Sequence, residues 1–437
     1  DGITSTLHAR KDRFQAVLPQ FPMGNVLGFI YEKPRTGSGQ PGNGTLKFLR
    51  AHGLGRELML GFHRLFPAIE VPGPHVLLTS GTSWAPGSSH YHVPTPVLAV
   101  LRASREDESR IEAETVMRFE PVTAEDGSCL RVSGTYGPKR MLALKQVANA
   151  LASRRGIHGR APSRLETMRD SLASQRRRVL LVVGSYAEAK EVQDALLNAR
   201  PDWRGQVTAL VNDHTEASSA ARGFILQRSR IASYSRMDPS WILIAPLLAV
   251  ERGHNIVDPA SGKAALGAVY FLVRPHPKPD DLDWAIHHIV SWAHDAWHMA
   301  PQGTDDGSLG AQADAFRTRA YKTGLRLFAE TLRYSTLPDH QQLSFDWMML
   351  VKLWQTIGRL LRGGVGAHVV FVDAAFYPPD PSSASLLHNM LERLASHFDQ
   401  SRNSDPEAHL VRLLYRPLYY SLWRMLVEEP NPNSNSF

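Results

Sequence analysis

The chain has 437 residues, of which 43% are apolar and 21% are charged. These are ordinary values for a globular protein, so they exclude an extensively disordered chain, and the length predicts two or three domains. The net charge of +7, with 49 Lys and Arg against 42 acidic residues, favours a polyanionic partner.

Two further features of the composition bear on cellular location. The only cysteine, Cys129, excludes an internal disulfide, a four-cysteine zinc site and a cysteine-held iron–sulfur cluster in this chain, and it predicts a reducing, cytoplasmic location. No run of about 18 uncharged apolar residues is present, so we expect no membrane-spanning helix and no membrane partner. Residue 1 is Asp rather than Met, which predicts that the chain is part of a longer protein.

The first third of the chain has few regular patterns. Short apolar runs alternate with Gly, Pro and Asn up to residue 75, and residues 84–142 are rich in Pro, Ser and Gly. The elements predicted here are a loop at 36–45, strands at 76–79, 115–119 and 130–133, a helix at 141–154 and a basic linker at 154–164.

The middle of the chain has the clearest pattern. Short apolar runs alternate with helical stretches, and each run is apolar on both of its faces. This pattern indicates an α/β fold in which a parallel sheet is covered on both sides. The predicted strands are 178–184, 207–212, 241–245, 266–273 and 368–373, and the first is followed by a helix at 188–199.

Helical patterns dominate the remaining sequence. A long helical region covers about 283–358 and is broken by Gly and Asp near 302–310. Helices at 383–398 and 408–426 and a polar tail at 428–437 are predicted to end the chain.

The most specific motif is 355–362, QTIGRLLR, at the end of a predicted helix. Arg359 and Arg362 are three residues apart and Gln355 is four residues before Arg359, so all three are predicted to share one helix face. Such a set of donors suits the terminal phosphate of a nucleotide, and Gly358 would let a neighbouring surface approach closely. The alternative is an ordinary solvated basic helix.

The order of several motifs resembles superfamily 2 helicases of the XPD/DinG branch. The resemblance covers roughly residues 70–375, and the SGTSWAP and RGHNIVD segments suggest the DinG-like helicases found beside prokaryotic PIWI-type nucleases. The matching segments are TSGT at 79–82 (motif III), Ser185 and Tyr186 after a buried strand (motif IV), 251–255, ERGHN (motif V), and 355–362 (motif VI).

The resemblance implies a domain organisation. Residues 1–82 would be the last part of a first motor lobe, 83–145 a connecting segment and 146–375 a RecA-like second motor lobe. A helical insertion would lie at about 283–350, and residues 376–437 would form a C-terminal helical appendix and tail.

The resemblance also implies a function and site residues. The complete assembly would be an ATP-dependent helicase that moves along single-stranded nucleic acid, DNA rather than RNA, with ATP and Mg²⁺ shared with the first lobe. Possible further partners are a nuclease or PIWI-type protein in antiviral defence. The implied residues are Arg359, Arg362 and Gln355 for catalysis, Gly253, Asn255 and Gly358 for nucleotide binding, and Ser80, Thr82, Ser185 and Tyr186 for strand contacts.

The sequence departs from the family pattern in two respects. Motif V usually has an acidic residue where this chain has Asn255, which cannot act as a base or pair ionically with arginine. A phosphate loop is also absent: the SGK at 261–263 follows Val257 rather than the required Gly, and the DPEAH at 405–409 reads as a helix start rather than an acidic box. These departures support an alternative function, a non-catalytic, helicase-derived nucleic-acid-binding or scaffold subunit of a defence complex.

A metal site is not predicted. His287, His294 and His298 recur at helical spacing, so His294 and His298 could bind a divalent ion on one face. The neighbouring Trp284 and Ile289 favour a packed amphipathic helix instead.

Overall fold

The computed structural model describes residues 26–32, 45–51, 54–64, 73–124, 126–155, 161–214, 224–251, 253–277, 282–298, 309–329, 333–377 and 385–428. The predicted loop at 36–45, the break at 302–310 and the polar tail at 428–437 fall almost entirely outside these residues. The strands are β1 (Val26–Glu32), β2 (Thr45–Ala51), β3 (Val116–Phe119), β4 (Arg178–Val183), β5 (Val207–Val211), β6 (Phe224–Gln227), β7 (Ile242–Pro246), β8 (Leu266–Phe271) and β9 (His368–Phe371).

The helices are of ordinary length, apart from one single-turn helix that follows β7. They are α1 (Leu54–Gly61), α2 (Arg105–Glu114), α3 (Gly137–Ala152), α4 (Arg164–Ser171), α5 (Tyr186–Ala199), α6 (Leu247–Val250), α7 (Leu282–His298), α8 (Leu309–Ala329), α9 (Asp339–Ile357), α10 (Leu386–Phe398) and α11 (Pro406–Trp423). None of the helices in the described ranges combines the length and apolarity needed to cross a bilayer.

The described residues form two compact units. The first is drawn from 1–81, 92–95 and 277–337, and the second from 82–91, 96–276 and 338–437. In the first unit, β1 and β2 form an antiparallel hairpin, and α7 packs on α8 around Ile289 and Phe316.

The second unit is built on a seven-stranded sheet in the order β3-β9-β8-β4-β7-β5-β6. Every pairing in this sheet is parallel, which confirms the predicted α/β class. All residues of β7 and β8 are buried, as are all residues of β4 except Arg178. These strands are apolar on both faces because helices cover both sides of the sheet.

The chain leaves two neighbouring strands of this sheet in opposite directions. From β4 it crosses through α5 to β5 on one side, and from β8 it reaches β9 on the other side. In open parallel sheets, ligands bind outside the carboxyl ends of strands at such a point. The topology therefore predicts a ligand site at the loops that follow β4, β7, β8 and β9.

Two predicted strands are wrong. Residues 76–79 have no regular structure, and Leu77 is 83% exposed. An apolar run forms a strand only when a neighbour pairs with its backbone, and no described strand does so here. Residues 130–133 also form no strand, because the N–H groups of Val132 and Ser133 bind the carboxylate of Asp373 instead.

Candidate functional site

The predicted helix that should carry both arginines ends before them. Helix α9 stops at Ile357, and the N–H groups of Gly358 and Arg359 bind the carbonyls of Trp354 (2.8 Å) and Thr356 (3.2 Å) in a tightened last turn. Residues 359–364 then form a turn to β9 that uses positive φ at Gly363 (80°) and Gly364 (68°). The prediction of a shared helix face is therefore wrong, because glycines allow the chain to reverse there.

Gly358 lies at the end of α9. A Cβ atom at this position would meet only the Trp354 and Gln355 carbonyls, within its own helix end. Gly358 serves as the C-cap of α9, and within the described residues no other element comes within 4 Å of such a Cβ atom.

The two arginines nevertheless converge on one main-chain atom. Arg359 donates from Nη1 to the carbonyl oxygen of His254 and from Nη2 to that of Glu251 at 2.9 Å. Arg362 donates from Nη1 to the same His254 oxygen at 3.2 Å. The turn after α9 is thereby attached to the segment 251–254, more than 100 residues earlier in the chain.

The two guanidinium groups differ in their availability to a ligand. Arg359 is only 8% exposed, and burial, followed by the positive charge of Arg362, lowers its pKa to about 10. Its Nε atom is buried without a partner among the described residues. Arg362 is less buried and uses a single Nη atom for its hydrogen bond, although burial lowers its pKa as well. Arg362 can therefore offer donors to a bound anion, whereas Arg359 mainly supports the segment 251–254.

Gln355 contacts a second predicted site residue. Its Nε2 donates to Oγ1 of Thr82 at 2.7 Å, across 273 residues of sequence. Both residues belong to the second unit. The segments around Thr82 and Gln355, which are far apart in the sequence, therefore meet in the second unit.

The segment 251–255 is positioned by backbone geometry. Gly253 has a φ of 88°, which other residues rarely adopt, and it is exposed with open space around its Cα. Asn255 is exposed, and its side chain makes no hydrogen bond to the described residues. Among the described residues, the observed contacts of this segment are made by the main-chain carbonyls of Glu251 and His254.

The strand-contact candidates lie in two places. Ser185 is the N-cap of α5, where its hydroxyl accepts the N–H of Glu188, and Tyr186 is the first residue of that helix. Both follow β4 at the carboxyl edge of the sheet. Ser80 is exposed and belongs to the first unit, so it does not join this group within the second unit.

Sequence reasoning missed three further residues at this edge. Asp213 follows β5, Arg228 follows β6 directly, and His254 follows the turn after β7. Burial raises the pKa of Tyr186, and the charges of Arg228 and Asp213 act on it in opposite directions. The pKa of His254 is lowered, chiefly by burial and also by the positive charges of Arg359 and Arg228. The negative charge of Asp213 acts in the opposite direction. Asp213 could have been found as the polar residue that follows the predicted strand 207–212, whereas Arg228 follows β6, which was not predicted.

No described group of three His, Cys, Asp or Glu residues has the geometry to bind a metal ion. Trp284 and Ile289 on α7 are buried, as in a packed amphipathic helix.

No protein-family model matches this sequence, and no curated protein is significantly similar to it. A functional assignment therefore rests on the residues and their geometry.

Proposed function

We propose that this chain contributes the second motor lobe of an ATP-dependent helicase or translocase that acts on single-stranded nucleic acid. One observation carries the proposal: three segments far apart in sequence meet in the second unit. Thr82 binds Gln355, and Arg359 and Arg362 bind the carbonyl of His254. Coupling between a nucleotide site and a strand site needs contacts of this kind between the elements that bear them.

In this proposal, Arg362 stabilises the charge that develops on the transferring phosphoryl group. Arg359 acts as a positioning residue, because both of its Nη atoms are bound to carbonyls and it holds the segment 251–254 against the turn after α9. Gln355 transmits the nucleotide state to Thr82. ATP and Mg²⁺ would be bound chiefly by a first lobe, since residues 1–437 contain no phosphate loop.

Strand contacts are assigned to the carboxyl edge of the sheet. Tyr186 offers an aromatic face on which a base can stack, and Arg228 offers an exposed guanidinium to the backbone phosphates. Ser185 is engaged as a helix cap, so its contribution would come through the N–H groups of the first turn of α5.

The test measures ATP turnover by the native assembly that contains this chain, with Arg362→Ala compared with wild type. We expect turnover to fall by about 10³-fold or more, as for other residues that stabilise transferring phosphoryl groups. Affinity for single-stranded DNA should change little. Arg177→Ala is the matched control, because Arg177 is exposed and makes one hydrogen bond, to the Leu172 carbonyl at 3.3 Å. Normal turnover in the Arg362→Ala assembly, or no ATP hydrolysis by the wild-type assembly, would contradict the motor function.

A second candidate function is a non-catalytic subunit that binds nucleic acid. Two observations favour it. Both Nη atoms of Arg359 are bound to main-chain carbonyls, and position 255 is Asn where the helicase family usually has an acidic residue. This alternative predicts that the assembly binds single strands but hydrolyses ATP, if at all, independently of Arg362.

A further inference from the structure

The outer face of helix α3 carries an aromatic, a basic and an apolar side chain. Tyr136 is the N-cap residue of this helix, and Lys139 and Leu142 follow at intervals of three residues, so the three share one face. Tyr136 is 61% exposed, Leu142 is 58% exposed, and Lys139 is exposed as well. The opposite face, which includes Leu144 and Val147, lies in the core of the second unit. The three outer side chains are therefore accessible to a ligand.

The loop that leads into α3 is fixed at one edge of the parallel sheet. The N–H groups of Val132 and Ser133 donate to the Asp373 carboxylate at 3.0 and 2.9 Å, beyond the carboxyl end of β9. The Ser133 hydroxyl accepts the N–H of Arg274 at 2.8 Å, beyond the carboxyl end of β8. Tyr136 follows only three residues later, so the face of α3 begins at the edge where open parallel sheets bind their ligands.

The charge along this part of the chain has one sign. Residues 127–165 contain eight Lys or Arg and no Asp or Glu. Arg140 and Lys145 of α3 are each paired with a glutamate of the neighbouring helix α5, at 2.7 and 2.8 Å. Lys139 makes no ion pair with any residue that the structure describes. An ordinary solvated helix face mixes both signs of charge, so an acid-free face with an unpaired ammonium group favours a polyanionic ligand.

We infer that Tyr136 and Lys139 form a contact surface for single-stranded nucleic acid. The phenol ring stacks on a base, and the ammonium group binds a backbone phosphate. A single strand fits this pair better than a duplex does, because the bases of a duplex are stacked on one another and leave no face for the ring.

This inference rests on the proposed function, because the ligand is of the same class. It adds a surface on α3, beyond the carboxyl ends of β8 and β9, to the strand contacts assigned to Tyr186 and Arg228. The two surfaces lie on different elements, so substitutions can test them separately.

The experiment measures the binding of fluorescent oligothymidylate by anisotropy, using the native assembly that contains this chain. Tyr136→Leu removes the ring and keeps an apolar side chain, and Lys139→Gln removes the charge. Because the Tyr136 side chain makes no capping hydrogen bond, its replacement should leave α3 intact, which circular dichroism verifies. The matched controls are Tyr321→Leu and Lys322→Gln, at exposed positions of α8. An abasic oligonucleotide of the same length is the second probe.

We expect Tyr136→Leu to weaken the binding of oligothymidylate by about tenfold, since stacking on an aromatic ring stabilises each bound base. Binding of the abasic oligonucleotide should be unchanged, because it has no bases. Lys139→Gln should weaken both probes and reduce the steepness of the salt dependence by about 0.7, the value for one phosphate of a single strand. Both control variants should bind as wild type does.

Three results would count against the inference. If wild type binds oligothymidylate and both site variants bind it as tightly as the controls do, the inference is wrong while the proposed function stands, and the face is left to a protein partner. An equal loss of both probes in Tyr136→Leu would contradict base stacking. If the wild-type assembly binds neither oligonucleotide, the proposed function fails together with the inference.

Discussion

Several arginines of the second unit direct their guanidinium groups at main-chain carbonyls. Arg176 binds four carbonyls, Arg178 binds those around the turn 234–240, and Arg359 binds two. The planar fork of arginine can serve several acceptors at once, which lysine cannot do. The basic composition therefore overstates the number of arginines that are available to a polyanionic partner.

His397, near the end of α10, is a buried histidine with a lowered pKa. His397 is 6% exposed, and burial together with Arg402 lowers its pKa from 6.5 to about 4. Its Nδ1 lies 3.3 Å from Nη1 of Arg402, so the neutral ring accepts a hydrogen bond that a charged ring could not accept.

We expect stability to depend on the neutral form of His397. Because the pKa is lower in the folded state, the contribution is complete above pH 6.5 and is lost as the pH falls towards 4, and it amounts to about 3 kcal/mol. Urea unfolding between pH 7 and pH 4 measures this loss. His397→Gln should remove much of the pH dependence, whereas substitution of the exposed His409 by Gln should leave it unchanged. Equal pH dependence in wild type and His397→Gln would refute the prediction.

At the scale of elements, the amino ends of the central strands are joined by one side chain. Arg176, just before β4, binds the carbonyls of Ala264 (3.1 Å) and Leu266 (3.0 Å) at the start of β8. It also binds those of Leu360 (2.7 Å), in the turn after α9, and Gly366 (2.6 Å), before β9. This arginine thus connects β8, β9 and the turn that carries Arg359 and Arg362.

Arg176→Lys should destabilise the second unit by about 2–4 kcal/mol, because an ammonium group cannot replace the fork and leaves two or more partly buried carbonyls without a donor. Chemical denaturation followed by tryptophan fluorescence is the measurement. The adjacent Arg177→Lys is the control, since Arg177 makes one long hydrogen bond from an exposed position. A similar small effect for both variants would show that the four contacts of Arg176 contribute little.

At the scale of the whole molecule, the net charge of +7 leads to a prediction about salt. If Arg228 and two other arginines of the second unit each neutralise one phosphate of a single strand, the logarithm of affinity should fall with the logarithm of salt concentration with a slope of roughly −2. Anisotropy titrations of an oligonucleotide over a range of salt concentrations give this slope. Arg228→Gln should make the slope less steep, and a salt-independent affinity would contradict electrostatic binding.

Much of the parallel sheet could be predicted from the sequence. Five strands of the second unit were predicted as short runs that are apolar on both faces, and β3 from a weaker run at 115–119. Strand β6 was missed because its apolar run is only three residues long, Phe224–Leu226. The strand predicted at 76–79 does not form, because its apolar residues have no partner strand among the described residues.

The candidate site was predictable only in its components. The local sequence identified Gln355, Arg359 and Arg362 as a group. It also identified Ser185 and Tyr186 as polar residues that follow a predicted strand. Which of these residues touch was not visible, because the contact of Gln355 with Thr82 spans 273 residues. Nor could sequence distinguish Arg359, which is bound to carbonyls, from Arg362, which is more accessible.

The sequence by itself determined the α/β class and the central strands, because apolar periodicity and strand length are local properties of the chain. Only the tertiary structure decided where α9 ends, how the arginines are used and that Gln355 binds Thr82. These outcomes depend on which backbone carbonyls and charges other segments bring near, and such contacts are set by packing between residues that are distant in sequence.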